Sequence, residues 1–176
     1  VDHFEWAVAY QPNFSEAHNN LGNTLLTMGR LDDAVKSYEK TLTLKPDYPE
    51  AHNNLGIAFQ KLGQLDAAVK SFEEALTIKP DYDKAHSNLG NVLKELGQLD
   101  AAVKSFEKAL TINPNYAEAH SNLGNVLKEL VQMDDAVKSY KKALAINPDY
   151  AEAHNNLGVI FKELGQLDDA VKSYKK

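Results

Sequence analysis

Five prolines, Pro12, Pro46, Pro80, Pro114 and Pro148, stand 34 residues apart along a chain of 176. A fixed internal period of this length means a row of like units, each packing only on its neighbours, with no single globular core. The unit is clearest in Asp83–Tyr116, which differs from the next, beginning at Ala117, at only 9 of 34 positions. On this register residues 1–14 are a half unit holding only a second helix. Units follow over 15–48, 49–82, 83–116, 117–150 and 151–176, the last stopping inside its second helix. The chain thus reads as a piece of a longer array.

Each unit reads as helix, turn, helix. In the first helix Ala119, Leu123, Val126, Leu127 and Leu130 recur at three- and four-residue spacing, an apolar stripe on one side. Asp149 with Glu152, Asn115 with Glu118 and Asn13 with Glu16 predict capping boxes at its start. Pro49 suits a first helical turn. Gly29, Gly63, Gly97 and Gly165 close the first helix, where a left-handed residue is needed; Val131 holds that place in the fourth unit. The second helix opens on Asp32, Asp66, Asp100, Asp134 or Asp168, at the positive end of its dipole. Its apolar stripe is Ala102, Val103, Phe106, Ala109, Leu110 and Ile112, and the periodic proline stops it.

Gly22, Gly56, Gly90, Gly124 and Gly158 fall in mid-helix, where glycine costs about 1 kcal/mol relative to alanine. A cost repeated five times predicts close approach of the paired helix. Ala34, Ala68, Ala102, Ala136 and Ala170 are expected to face these glycines. The large rings of Tyr38, Phe72, Phe106, Tyr140 and Tyr174 are expected to fill the space between units.

The phased pattern His-x-x-Leu-Gly-x-x-Leu/Phe, then Ala-x-x-x-Phe/Tyr, then Pro, resembles the tetratricopeptide repeat. His86, Leu89, Gly90, Leu93, Ala102, Phe106 and Pro114 carry it in the third unit. The family has a larger residue, often Trp, where this chain has His. The resemblance implies an all-α, right-handed superhelical solenoid of antiparallel helix-turn-helix units, its first helices lining a concave groove.

The remaining signals narrow the chemistry. The net charge of −6 argues against nucleic acid, which wants a basic face. No apolar run approaches the roughly 20 residues of a membrane span. The absence of cysteine excludes disulfides and a thiol nucleophile, and is compatible with the cytoplasm. His18, His52, His86, His120 and His154 come one per unit beside the packing stripe, without a second ligand at short spacing, and read as structural. Asp and Glu sit at helix starts and on exposed faces. The sequon Asn13-Phe14-Ser15 reads as chance, and no phosphate loop or zinc-protease motif occurs. No metal, cofactor or catalysis is expected. Trp6 is out of pattern, and either covers the surface its missing partner helix leaves or anchors a partner.

One polar feature calls for a reason. Asn20, Asn54, Asn88, Asn122 and Asn156 each precede the Leu-Gly pair, Asn19, Asn53, Ser87, Ser121 and Asn155 come one residue earlier, and Asn23, Asn91 and Asn125 one turn later. Asn is a mediocre helix former, yet its amide both donates and accepts. Such a ladder can hold the backbone of an extended peptide, or it can simply bond between adjacent helices. It is similar to the repeat region of O-linked N-acetylglucosamine transferase, which implies contact with substrate peptide, although no glycosyltransferase domain is present here. The family's carboxylate clamp is matched by Asn23, Asn54 and Lys84, while Asn19 and Asn88 replace two cations it needs. Lys84, Lys94, Lys128 and Lys162 on the same face are expected to favour acidic segments. The favoured reading is a protein–protein interaction scaffold. The alternatives are the substrate-recruiting part of a larger enzyme, or an assembly scaffold associating head to tail through its cut ends.

Overall fold

The structure, a computed structural model, describes residues 13–175. The expected lone helix over residues 1–14, with Trp6, lies outside these apart from Asn13 and Phe14.

Ten helices occupy the described residues. They are α1 (Ser15–Thr27), α2 (Leu31–Leu44), α3 (Pro49–Lys61), α4 (Leu65–Ile78), α5 (Asp83–Glu95), α6 (Leu99–Ile112), α7 (Ala117–Glu129), α8 (Met133–Ile146), α9 (Ala151–Glu163) and α10 (Leu167–Tyr174). Among the described residues there is no strand, and no helix is long and apolar enough to cross a membrane. The chain divides into two compact units between Val92 and Leu93, within α5. In the first, α1 packs on α2, α2 on α3 and α3 on α4. In the second, α6 packs on α7, α7 on α8, α8 on α9 and α9 on α10.

The tight turns follow from backbone chemistry. Gly29, Gly63, Gly97 and Gly165 have φ between 71° and 76°. The residue after each donates its N–H five residues back: Gln64 to the Phe59 carbonyl at 2.9 Å, Gln98 to Leu93 at 2.8 Å. This closes the orphan carbonyls of the helix end. Val131 adopts the same conformation, φ 61°, with Gln132 bonding Leu127 at 2.8 Å. The turn is therefore imposed on a β-branched residue by the units around it.

The starts of the first helices differ from the capping-box expectation. The N-cap positions are Phe14, Tyr48, Tyr116 and Tyr150, none with a side-chain cap. Asn13, Asn115 and Asp149 lie one residue too early. The aromatic residue's own carbonyl takes the first helical N–H groups, as Tyr48 does from Ala51 at 3.0 Å and His52 at 3.1 Å.

The hairpin seam also departs from expectation. It is the aromatic ring, not the alanine, that lies against the glycine. A Cβ built on Gly22 would stand 2.6 Å from the Tyr38 ring, on Gly56 2.7 Å from Phe72, on Gly124 2.8 Å from Tyr140, and on Gly158 2.6 Å from Tyr174. Tyr38, Phe72 and Tyr140 are wholly buried. Ring burial offsets the low helix propensity of each glycine, since an aromatic side chain brings about 1.5–3 kcal/mol of apolar burial. Ala34 instead joins Leu21, Leu25, Tyr38, Leu55 and Ala58 in a cluster joining successive hairpins of the first unit.

Candidate peptide-binding face

The first helices carry the asparagines at a spacing that keeps Asn20, Asn23 and their equivalents on one side, because residues three apart share a helix face. Asn20 and Asn23 are exposed, and Asn54, Asn88, Asn91, Asn122, Asn125 and Asn156 half-buried. Lys84 and Lys162 are exposed, Lys94 and Lys128 half-buried. Lys94 faces the Glu129 carboxylate at 3.5 Å, so part of its charge is already answered.

Asn19 and Asn53 require a correction. Their place beside the ladder groups them with the ligand face, but they are only 6% and 4% exposed. One residue of displacement along a helix turns a side chain by about 100°, here into the interior. Asn53 nevertheless serves the ladder from within: its Oδ1 accepts from Asn88 Nδ2 at 2.9 Å.

The carboxamides bond between successive first helices. In the first unit Asn54 Nδ2 donates to Asn23 Oδ1 at 2.9 Å, and the Tyr38 hydroxyl donates to that oxygen at 2.8 Å. In the second unit Asn156 Nδ2 donates to Asn125 Oδ1 at 2.9 Å, joined by the Tyr140 hydroxyl at 2.6 Å. Asn125 Nδ2 in turn lies 3.4 Å from Glu152 Oε1. Burial raises the pKa of both tyrosines, so their hydroxyls stay protonated donors. The hydroxyl-to-amide bond lies beyond the sequence reading, which treats the rings as apolar filler. The joint occurrence of Tyr38 with Asn23 and of Tyr140 with Asn125 is the signal that could have found it.

The histidines have a structural task. Nε2 of His52, His86, His120 and His154 meets the carbonyl of Pro46, Pro80, Pro114 and Pro148 at 2.8–3.0 Å. A carbonyl only accepts, so Nε2 carries the proton and Nδ1 is the bare nitrogen. Each ring thus clamps the loop before its own helix. Burial pushes the His120 pKa down, and the charge of Lys142 adds to this, against the Pro114 bond. Among the described residues no group of His, Asp and Glu could hold a metal ion.

An open groove of about 700 Å³ lies in the second unit among α6, α7 and α8. Glu107, Leu110, Pro114, His120, Lys142 and Ile146 help to line it, and it includes none of the ladder residues. No motif marks it in the sequence, because its walls are the ordinary packing positions of three helices.

The fold is an all-α array of helix-turn-helix repeats whose first helices carry carboxamides bonded to one another within each compact unit. Family models say which repeat. Those described as "TPR repeat" and "Tetratricopeptide repeat" match residues 22–63, 90–131 and 132–165, 49–82, and 3–36 and 71–104. The chain belongs to the tetratricopeptide repeat family. A search of curated proteins by sequence gives no match. Among solved structures it is similar to MamA, 27% identical over 88% of this chain and 90% of that one, with a TM-score of 0.80. It is also similar to TTC0263, a thermophilic TPR protein of Thermus thermophilus, 28% identical over 92% and 88%, TM-score 0.74. YrrB, described as a TPR protein with an unusual peptide-binding site, shares the fold at 24% identity over 97% and 88%, TM-score 0.76.

Proposed function

We propose that the chain is a non-catalytic interaction scaffold that binds an extended peptide along the asparagine face. The observation that carries this reading is that the ladder amides are ordered but not buried. Asn54, Asn88 and Asn156 are each held by a bond to the preceding first helix, yet remain partly open to solvent. Fixed, half-exposed amides can recognise a backbone without reading side chains, and ordering them beforehand lowers the entropy cost of binding. Lys84 and Lys162, exposed on the same helices, favour acidic segments. In this reading the first helices act without metal, cofactor or nucleic acid.

Panning a random dodecapeptide library against the chain tests this reading. Peptides captured by the wild type should be lost when Asn54, Asn88 and Asn122 are changed to Ala, with the variant still fully helical by circular dichroism. Equal capture by both would remove the ladder from the site. The same face would serve in recruiting substrate to a catalytic domain, as the likeness to O-linked N-acetylglucosamine transferase suggests. Head-to-tail association draws on Leu167, Val171 and Tyr174, all exposed on α10; sedimentation that shows a monomer at every concentration would exclude it.

A further inference from the structure

Two tyrosines of the seam reach past it. The Tyr38 ring is wedged against Gly22 and the Tyr140 ring against Gly124, where even a Cβ would stand 2.6 and 2.8 Å away. Both rings are wholly buried, so neither can swing and each hydroxyl is held in a fixed place. The Tyr38 hydroxyl donates to Asn23 Oδ1 at 2.8 Å, and the Tyr140 hydroxyl to Asn125 Oδ1 at 2.6 Å. The same two oxygens accept from Asn54 Nδ2 and Asn156 Nδ2, each at 2.9 Å. Phe72 fills the same seam position without a hydroxyl, so packing alone does not call for a tyrosine.

A carboxamide oxygen has two lone pairs. In Asn23 and in Asn125 both are spent on these bonds, which leaves only the amide nitrogen to meet a ligand. Asn23 is exposed, and among the described residues neither of its amide N–H groups has a protein partner. Asn125 is half-buried and turns one N–H toward Glu152 Oε1, at 3.4 Å, so its second N–H is free. That contact also excludes the reversed amide in the second unit. A carboxylate only accepts, and a flipped Asn125 would set oxygen against oxygen. Each arrangement is complete within its own compact unit.

We infer that Tyr38 and Tyr140 are positioning residues for ligand binding: by saturating the oxygens of Asn23 and Asn125, they make these two asparagines donor-only contacts that take a backbone carbonyl of an extended peptide. The inference rests on the peptide-binding reading and adds which peptide atom these two positions read. A proline lacks the N–H but keeps its carbonyl, so both positions accept it.

The test uses the strongest dodecapeptide from the library and a thioamide scan. Each backbone carbonyl oxygen is replaced singly by sulfur, a weaker acceptor that leaves the adjoining N–H an undiminished donor. Affinity for the wild type should fall by about three- to tenfold, the net worth of one hydrogen bond, at the carbonyl that meets Asn23 or Asn125. Asn23→Ala or Asn125→Ala, whichever abolishes that loss, tells which. Tyr38→Phe or Tyr140→Phe then keeps the asparagine but frees a lone pair on its oxygen, and the loss at the same carbonyl should shrink. A purely structural tyrosine would lower the melting temperature and leave the thioamide loss whole, which would overturn the positioning role. A flat scan, or a loss that survives both alanine variants, would overturn the donor assignment while peptide binding stands. Capture of no peptide would defeat the functional reading and this inference with it.

Discussion

The seam inside each hairpin and the face outside it are built by opposite rules. Inside, the contact has one solution: glycine under an aromatic ring at Gly22 and Tyr38, Gly56 and Phe72, Gly124 and Tyr140, Gly158 and Tyr174. Outside, the same task of accepting a bond from the next ladder asparagine has two, Asn23 or Asn53, one turn apart. Packing at contact distance tolerates no substitute because interiors are close-packed. A hydrogen-bond acceptor can come from any residue that places an oxygen within reach. The seam is therefore invariant, and the face varies while its bonding stays constant.

The largest effect should come from breaking the seam. Gly56→Leu puts a branched chain where even a Cβ would stand 2.7 Å from the Phe72 ring, and should cost about 3 kcal/mol or more by forced repacking. Chemical denaturation measures it, and a fully stable variant would show that the seam yields.

The face should be forgiving in a specific way. Tyr38→Phe with Asn23→Ile converts the first hairpin to the arrangement of the second, with Phe72 and Ile57. The idle oxygen of Asn19 should then take the Asn54 bond, leaving stability within about 0.5 kcal/mol of the wild type. Adding Asn19→Ala removes the last acceptor and should cost a further 1 kcal/mol or so. If the double variant is already as unstable as the triple, the two acceptor positions are not interchangeable.

Much of this is legible in the residues, and the part that is not shows why. The 34-residue period predicts paired helices, and Gly29, Gly63, Gly97 and Gly165 predict left-handed turns, seen at φ 71–76°. Both are consequences of local backbone chemistry. The pattern assigns the partner of the seam glycine to Ala34 and its equivalents, wrongly, because helical spacing names a face but not which of its residues reaches across. It misplaces Asn19 and Asn53 for a related reason: adjacent residues of like chemistry point in directions only packing separates. The capping boxes fail because the aromatic residue after Asn13, Asn115 and Asp149 takes the N-cap position, its ring dictated by tertiary contacts.

A smaller effect sharpens the contrast at the turn, where the backbone alone sets the rule. Val131 is 75% exposed and holds φ 61°, so no lost packing offsets its strain. Val131→Gly should stabilise by about 1 kcal/mol, read as a higher melting temperature. An unchanged value would mean that the turn accommodates the β-branch without strain.

The smallest expected effect concerns pH at the histidine clamp. His120 has its pKa lowered from 6.5 by burial, and protonation would place an N–H on a buried Nδ1 that has no partner. The unfolded chain then takes up the proton first, so the contribution is complete above about pH 6.5 and is lost as the pH falls below it. Thermal melts across that range should show a steeper decline for the wild type than for His120→Gln. Parallel curves would remove His120 as the cause.

Binding to the face itself is tested most directly by adding the selected dodecapeptide to isotopically labelled protein and following the side-chain amide resonances of asparagine. Shifts should concentrate on Asn20, Asn54, Asn88, Asn122 and Asn156, while backbone signals around the groove of Glu107 and Lys142 stay in place. Shifts confined to that groove, with the ladder amides unmoved, would contradict the account.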